Sequence, residues 1–283
     1  MPEILRYSAF TQTADGGNPA GVVLDASGLD SGAMRAIAKE LGYSETAFVT
    51  ARDGDTRTVR YFSPESEVPF CGHATIATAV AIADAHGPVD LLLDTAAGRV
   101  PVRVVPGPGG RPVATLTSVP TRVWDAPAED VAEALAALCW DAGDLDPALP
   151  PRYAHAGAGH LILSAATRQR LADLDYDFDR LRALLAARDC VTLALVHRRP
   201  GGDGQTFDAR NPFPTGGVVE DPATGAAAAA FGAYLRELAL VGVPARVTIH
   251  QGEDMGCPSV LLVDIPAGAD AGVDVSGTAV PIG

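Results

Sequence analysis

Three ionisable side chains stand in settings where they can do chemistry. Glu45 lies in Ser44-Glu45-Thr46-Ala47-Phe48-Val49, His73 in Cys71-Gly72-His73-Ala74-Thr75, and Asp221 in Asp221-Pro222-Ala223-Thr224-Gly225. A glutamate held in a partly desolvated cleft has its pKa raised and serves as a general acid or base, worth about 10²–10⁴-fold in rate. The same residue at a solvated strand edge does nothing of the kind. His73 falls at or near a helix N-terminus, where the helix dipole disfavours imidazolium. It reads as a neutral histidine that donates or relays a proton, or as a structural cap. Asp221 can hold a substrate ammonium group, orient a proton, or cap the helix that follows, with Pro222 at the first helical position.

The neighbours of these residues narrow the choices. Helix N-termini depress thiol pKa values, so Cys71 invites a thiolate reading. A two-thiol racemase needs a partner cysteine in the matching second turn, and that turn has none, so Cys71 reads as a small buried hydrophobe. Gly72 and Gly225 leave backbone N–H groups open to a carboxylate or an enolate-like oxygen. No second histidine or cysteine stands at ligand spacing from His73, and a metal site is not expected.

The positioning elements are duplicated. Arg60-x-x-x-Pro64 leads into the Cys71 turn and Arg210-x-x-x-Pro214 leads into the Asp221 turn, with the same step from arginine to turn. An alanine-rich helix follows each, Ile76 to Val80 in one half and Ala226 to Ala230 in the other. Two similar domains facing across a cleft would present two helix N-termini to it, a setting that favours an anionic ligand. The order of elements repeats as well. Val22 to Leu24 matches Leu161 to Leu163, the helix Ala33 to Leu41 matches Asp179 to Ala187, and Thr46 to Val49 matches Leu193 to Val196. The halves differ at one telling place, Glu45 against Thr192, so a carboxylate stands on one side only.

Element by element, a strand at Leu5 to Phe10 precedes the turn-rich Asp15-Gly16-Gly17-Asn18-Pro19 and a strand at Gly21 to Leu24. Met34, Ile37, Ala38 and Leu41 have the spacing of a buried helical stripe, with Asp30 or Ser31 as cap and Gly42 as stop. Strands follow at 46–50, 58–62, 89–94, 98–105 and 112–118, and a linker is expected at Pro120 to Pro127. The domains are then residues 1–120 and 121–283. Gln251-Gly252-Glu253-Asp254-Met255-Gly256-Cys257-Pro258-Ser259 reads as a polar turn before the strand Val260 to Asp264, with no role assigned by its chemistry alone.

Bulk properties exclude some functions. A net charge of −14 argues against a nucleic-acid partner and against an anionic membrane surface. No apolar run reaches the roughly 18 residues of a membrane span, and the Met1-Pro2-Glu3 start has no basic segment leading into an apolar one. Four scattered cysteines fit a reducing, cytoplasmic setting.

The motifs together resemble the PhzF-like phenazine-biosynthesis family. The pieces are Gly17-Asn18-Pro19-Ala20-Gly21, Ser44-Glu45-Thr46-Ala47-Phe48-Val49, Arg60-Tyr61-Phe62-Ser63-Pro64 with Glu67, Pro69-Phe70-Cys71-Gly72-His73-Ala74-Thr75, Glu220-Asp221-Pro222-Ala223-Thr224-Gly225, and Gln251-Gly252 with Met255-Gly256. The resemblance implies an α/β (α+β) fold of the diaminopimelate epimerase type, with two pseudo-symmetric domains, each a mixed sheet wrapped around a central helix, in a homodimer. It implies isomerisation without a cofactor, in which Glu45 moves a proton within a small carboxylate such as trans-2,3-dihydro-3-hydroxyanthranilate. His73 and Asp221 match further active-site positions, and Asn18, Gly72, Gly225 and Ala226 match substrate-binding ones. Ala226 stands where the family usually has serine, Cys257 where it has arginine, and Pro212 where phenylalanine is common. Those departures put that particular substrate in question. An epimerase using Glu45 with Cys71 or Asp221, and a binding protein that kept the cleft without the chemistry, are the alternatives.

Overall fold

The computed structural model describes residues 2–201, 204–269 and 271–283; Met1, Gly202, Asp203 and Asp270 lie outside the described residues. In the first half the chain forms β1 (Leu5–Ala9), β2 (Asn18–Val23), α1 (Ser31–Leu41), β3 (Glu45–Asp53), β4 (Thr56–Phe62), β5 (Glu67–Val68), α2 (Gly72–His86), β6 (Val89–Thr95), β7 (Gly98–Pro106) and β8 (Pro112–Thr117). The second half runs β9 (Arg122–Asp125), α3 (Ala128–Ala137), β10 (Arg152–His155), β11 (Gly159–Ser164), α4 (Arg168–Ala172), α5 (Phe178–Ala187), β12 (Cys190–Arg198), β13 (Thr206–Pro212), β14 (Glu220–Asp221), α6 (Gly225–Glu237), β15 (Ala245–Gln251), β16 (Ser259–Ile265) and β17 (Asp274–Pro281).

The expected strands and helices form close to where their patterns place them. Helix α1 starts with the Asp30 side chain accepting from the Ala33 N–H and stops at Gly42, whose φ of 69° is left-handed. The segment expected as a linker is different. Arg122–Asp125 forms β9 and pairs antiparallel with β10, so most of the stretch from Pro120 to Pro127 belongs to the second sheet. The short, half-buried alternation of Arg122-Val123-Trp124-Asp125 between prolines hid that strand.

Strand pairing wraps each half around one helix. Around α2 the order β1–β2–β3–β4–β6–β7–β8–β17 closes on itself, because β17 pairs with both β8 and β1. Around α6 run β9–β10–β11–β12–β13–β15–β16, with β16 pairing to β17. The division at residues 120 and 121 is thus crossed by β17, which serves both sheets. Residues 72–83 of α2 are buried on every side, as are nearly all of α6 from Ala227 to Leu235. That explains their composition. A helix enclosed by strands has no solvent face to make polar, and alanine lets the sheet approach closely.

The repeated arginines brace the turns that carry the site. Phe48 lies opposite Arg60 between β3 and β4, and Leu195 lies opposite Arg210 between β12 and β13, so Glu45 and Thr192 hold equivalent register positions. Each arginine then reaches a glutamate at the next short strand. Arg60 Nε and Nη2 donate to Glu67 at 2.7 and 2.5 Å, and Arg210 Nε and Nη2 donate to Glu220 at 2.9 and 2.5 Å. The first pair is solvent-facing, with side chains 30% and 38% exposed, while the second is enclosed at 11% and 5%.

This asymmetry sets unequal costs for equivalent substitutions. Arg210→Leu should destabilise the fold by roughly 3–5 kcal/mol, since Glu220 is left buried without its cation. Arg60→Leu should cost about 1 kcal/mol or less. Urea unfolding of the two variants side by side checks the difference.

Candidate active site

The two buried helices meet end to end. Gly72 opens α2 and Gly225 opens α6, and they lie so close that a Cβ on Gly72 would stand 3.1 Å from Gly225 Cα and 3.3 Å from the Ala226 nitrogen. Neither helix has a side-chain bond at its N-cap. Intrahelical bonding begins with Thr75 N–H to Cys71 O and Ala228 N–H to Thr224 O. The N–H groups of Gly72, His73, Ala74, Gly225, Ala226 and Ala227 therefore precede the first helical bonds, and both dipoles direct positive charge into one small volume.

The chemical groups gather at this junction. Glu45 heads β3, beside the start of β2, where Ala20 is its register partner. Its Oε2 lies 3.6 Å from His73 Nε2, longer than a direct hydrogen bond. Ser44 Oγ stands 3.4 Å from the same nitrogen. On the far side of the ring, His73 Nδ1 lies 3.0 Å from Asn18 Nδ2, which also donates to Asp221 Oδ1 at 2.7 Å and to Ala223 O at 3.1 Å. The amide nitrogen has two protons to share among these three acceptors and no lone pair to offer. A proton on Nδ1 would face a donor, so the tautomer assigned to the neutral ring carries its proton on Nε2, toward Glu45. Glu45, His73 and Asp221, read separately from the sequence, thus meet at one place, and Asn18 links two of them.

Burial governs their protonation. Glu45, Cys71, His73 and Asp221 are each less than a tenth exposed. Desolvation pushes the Glu45 carboxyl up, opposed by hydrogen bonds from Ser44 and Cys71. Desolvation also lowers His73 to about 3, so the ring stays neutral at physiological pH. Asp221 is raised to about 7, first by burial and then by the nearby Glu45 charge, against hydrogen bonds from Thr224 and Asn18. Burial pushes the Cys71 thiol well up as well, helped by the Glu45 charge, so the helix N-terminus does not yield a thiolate here.

Glu45, Cys71 and His73 bring one potential metal-ligand atom each within 4.8 Å of one another, a grouping that linear spacing did not reveal. Their directions do not suit a shared ion. Cys71 Sγ stands 3.3 Å from His73 Nδ1 and 3.8 Å from Nε2. A thiolate sharing a metal with one imidazole nitrogen lies roughly 3.5 Å from it and roughly 5 Å from the other, given zinc bond lengths of about 2.0–2.3 Å. The near-equal distances put the sulfur off both lone-pair axes.

Two further residues belong to the site. Thr224 Oγ1 donates to Asp221 Oδ2 at 2.6 Å, and Gln251 binds the Asp221–Thr224 turn through both ends of its amide. Thr224 sat inside a motif already singled out, and Gln251 opened the polar turn left without a role. Cys257, half-buried in that same turn, gives its carbonyl to Ser259 Oγ at 3.0 Å.

The family model described as "Phenazine biosynthesis-like protein" matches residues 7–283. The chain belongs to this family. A curated relative, the uncharacterized isomerase YddE of Escherichia coli, is 32% identical over 289 residues, covering 99% of this chain and 96% of its own. The trans-2,3-dihydro-3-hydroxyanthranilate isomerase of Pseudomonas chlororaphis is 32% identical over 286 residues, covering 100% and 98%. Among solved structures, a predicted epimerase from Pseudomonas aeruginosa superposes with a TM-score of 0.87 at 28% identity, covering 100% of this chain and 98% of that one. The protein is an isomerase of this family with a mixed α/β fold. Among the described residues, no helix is long and apolar enough to cross a membrane.

The raised pKa of Asp221 has a thermodynamic signature. Between the unfolded value near 3.8 and the folded value of about 7, only the unfolded chain releases this proton, so stability falls as pH rises through that window. Relative to Asp221→Asn, the native protein should lose roughly 2–4 kcal/mol between pH 4 and pH 7. His73 acts in the opposite sense between about 3 and 6.5, but it is common to both proteins and cancels. Denaturant titrations at a series of pH values read the difference.

Proposed function

We propose that this isomerase moves a proton within a small amino- or hydroxy-carboxylate, using Glu45 as its single acid/base and no cofactor. The observation that carries this reading is Glu45 itself, a buried carboxyl with a raised pKa facing the Nε2–H of a neutral histidine at the junction of two uncapped helix N-termini. In the reaction Glu45 as carboxylate takes a proton from one carbon, and the electron pair shifts into the adjacent conjugated system. The protonated Glu45 then returns the proton to a second carbon on the same face. No atom is gained or lost, so the outcome is isomerisation. Desolvation makes Glu45 a stronger base than a solvated glutamate, and brings its pKa nearer the operating pH.

The remaining groups fit around this step. The free N–H groups at Gly72, Gly225 and Ala226 receive the substrate carboxylate, or the negative charge that develops when the proton leaves. His73 donates from Nε2 without itself ionising. Asp221 accepts from the substrate's amino group or orients a proton. The halves 1–120 and 121–283 serve as the two domains that enclose the substrate. With Thr192 at the place equivalent to Glu45, a base stands on one side only, which favours transfer between two carbons of one face over inversion of a centre. The substrate of the Pseudomonas chlororaphis relative, trans-2,3-dihydro-3-hydroxyanthranilate, is the first candidate. Alanine at 226 argues for a substrate with one polar group fewer or differently placed.

Incubation with that compound in D₂O, followed by proton NMR, tests the reading. Movement or loss of a C–H signal is expected with the native protein, and a decrease of about 10²–10⁴-fold with Glu45→Gln while ligand affinity stays within about tenfold. Unchanged turnover in Glu45→Gln would overturn the mechanism. Cys71→Ala should keep turnover within about threefold, since the thiol is protonated and acts on Glu45 only as a weak hydrogen-bond donor; a loss beyond about 10²-fold would favour thiol-based epimerisation.

A further inference from the structure

We propose that Gln251 is a positioning residue that fixes which way the Thr224 hydroxyl points, and through it the proton affinity of Asp221. The inference rests on the reading of Asp221 as part of the active site and adds to it a residue with no substrate contact. Gln251 is 2% exposed at the end of β15. Its Nε2 donates to Asp221 O at 2.7 Å and to Thr224 Oγ1 at 3.0 Å, while its Oε1 accepts from the Thr224 N–H at 3.1 Å.

These partners leave one orientation. A backbone carbonyl only accepts and a backbone N–H only donates, so the amide cannot be flipped. Its second N–H must then meet a lone pair of Thr224 Oγ1. The threonine proton is turned away from Gln251 and toward Asp221 Oδ2, 2.6 Å distant. Without Gln251 the hydroxyl is free to rotate and to accept instead of donate. Gly252, the next residue, lets the chain turn back directly after Gln251, accepting from the Met255 and Cys257 N–H groups. Its φ of 76° is left-handed, and a Cβ there would run into Cys257 O. The turn Gln251-Gly252 to Ser259 thereby has a task, which is to support the mouth of α6 from a strand outside it.

Other groups also act on Asp221. Glu45 from β3 and Glu220 from β14 raise its proton affinity, Asn18 from β2 and Thr224 lower it, and His73 and Cys71 at the α2 terminus lie on the same junction in neutral form. Asn211 on β13 is its strand-register partner. Of these side chains Gln251 bonds only Thr224, and its other bond is to the Asp221 backbone carbonyl and not to the carboxyl, so its effect on the carboxyl passes through Thr224.

That dependence supplies the test, which needs no substrate. In protein labelled with ¹³C at the aspartate carboxyl carbons, Asp221 is identified by the signal lost in Asp221→Asn, and its titration midpoint is followed. Gln251→Met and Thr224→Val should each raise the midpoint by about half to one unit, a three- to tenfold gain in proton affinity. Combined, they should raise it no further than Thr224→Val alone. Thr224→Ser, which keeps the hydroxyl, should restore the native midpoint. If Gln251→Met does not fold, Gln251→Glu decides by the same comparison: adding Thr224→Val to it should have no further effect. An unchanged midpoint in Gln251→Met, or additive shifts in either pair, would overturn the proposal. Because the readout is ionisation and not turnover, loss of the proposed isomerisation would leave the result intact.

Discussion

Everything in this molecule depends on two helices being brought nose to nose inside protein. The contact at Gly72 and Gly225 is possible because neither residue has a side chain, and it leaves uncompensated N–H groups from both helices facing the same volume. Such a junction is unfavourable without an acceptor, since like dipole ends repel and orphan donors are desolvated. The surrounding sheets impose it, and the buried carboxyl groups of Glu45 and Asp221 stand beside it. An anionic substrate placed between the helices would complete what the fold leaves open.

The sequence revealed this junction more readily than the parts that hold it in place. The paired Arg-x-x-x-Pro steps, the alanine-rich runs and the Glu45/Thr192 difference led to two helices, one carboxylate and an asymmetric cleft, because each is a local pattern with a local cause. Each of the two arginines meets a glutamate within ten residues, and alanine fills a helix enclosed by strands. What stayed hidden was set by long-range pairing. The strand at Arg122–Asp125 looks like a linker until β10 lies beside it. Gln251 looks like any polar turn residue until the Asp221–Thr224 turn is folded against it. The Cys71 sulfur looks activated by its helix until burial and the Glu45 charge are counted. In each case the deciding neighbour is remote in sequence and contributes no periodicity of its own.

The site divides its labour by half. The first half supplies Glu45, Ser44, His73 and Asn18, and the second supplies Asp221, Thr224 and Gln251. Asn18 is the point of exchange, since one amide nitrogen faces His73 on its own side and Asp221 and Ala223 on the other. A continuous path of hydrogen-bonding groups thus runs from Gln251 through Thr224, Asp221, Asn18 and His73 toward Glu45. The two halves share a scaffold, and the residues along this path differ from one half to the other.

The crossing role of β17 reaches beyond the finished structure. The sheet around α2 closes only when residues 274–281 slot between β1 and β8. A chain emerging from the ribosome at about 5–20 residues per second would therefore hold its first half unfinished, edges exposed, until nearly the whole second half has been synthesised. The halves repeat one another's elements, yet the first cannot close its sheet without a strand from the end of the second. One shared strand thus ties the two repeated halves into a single unit.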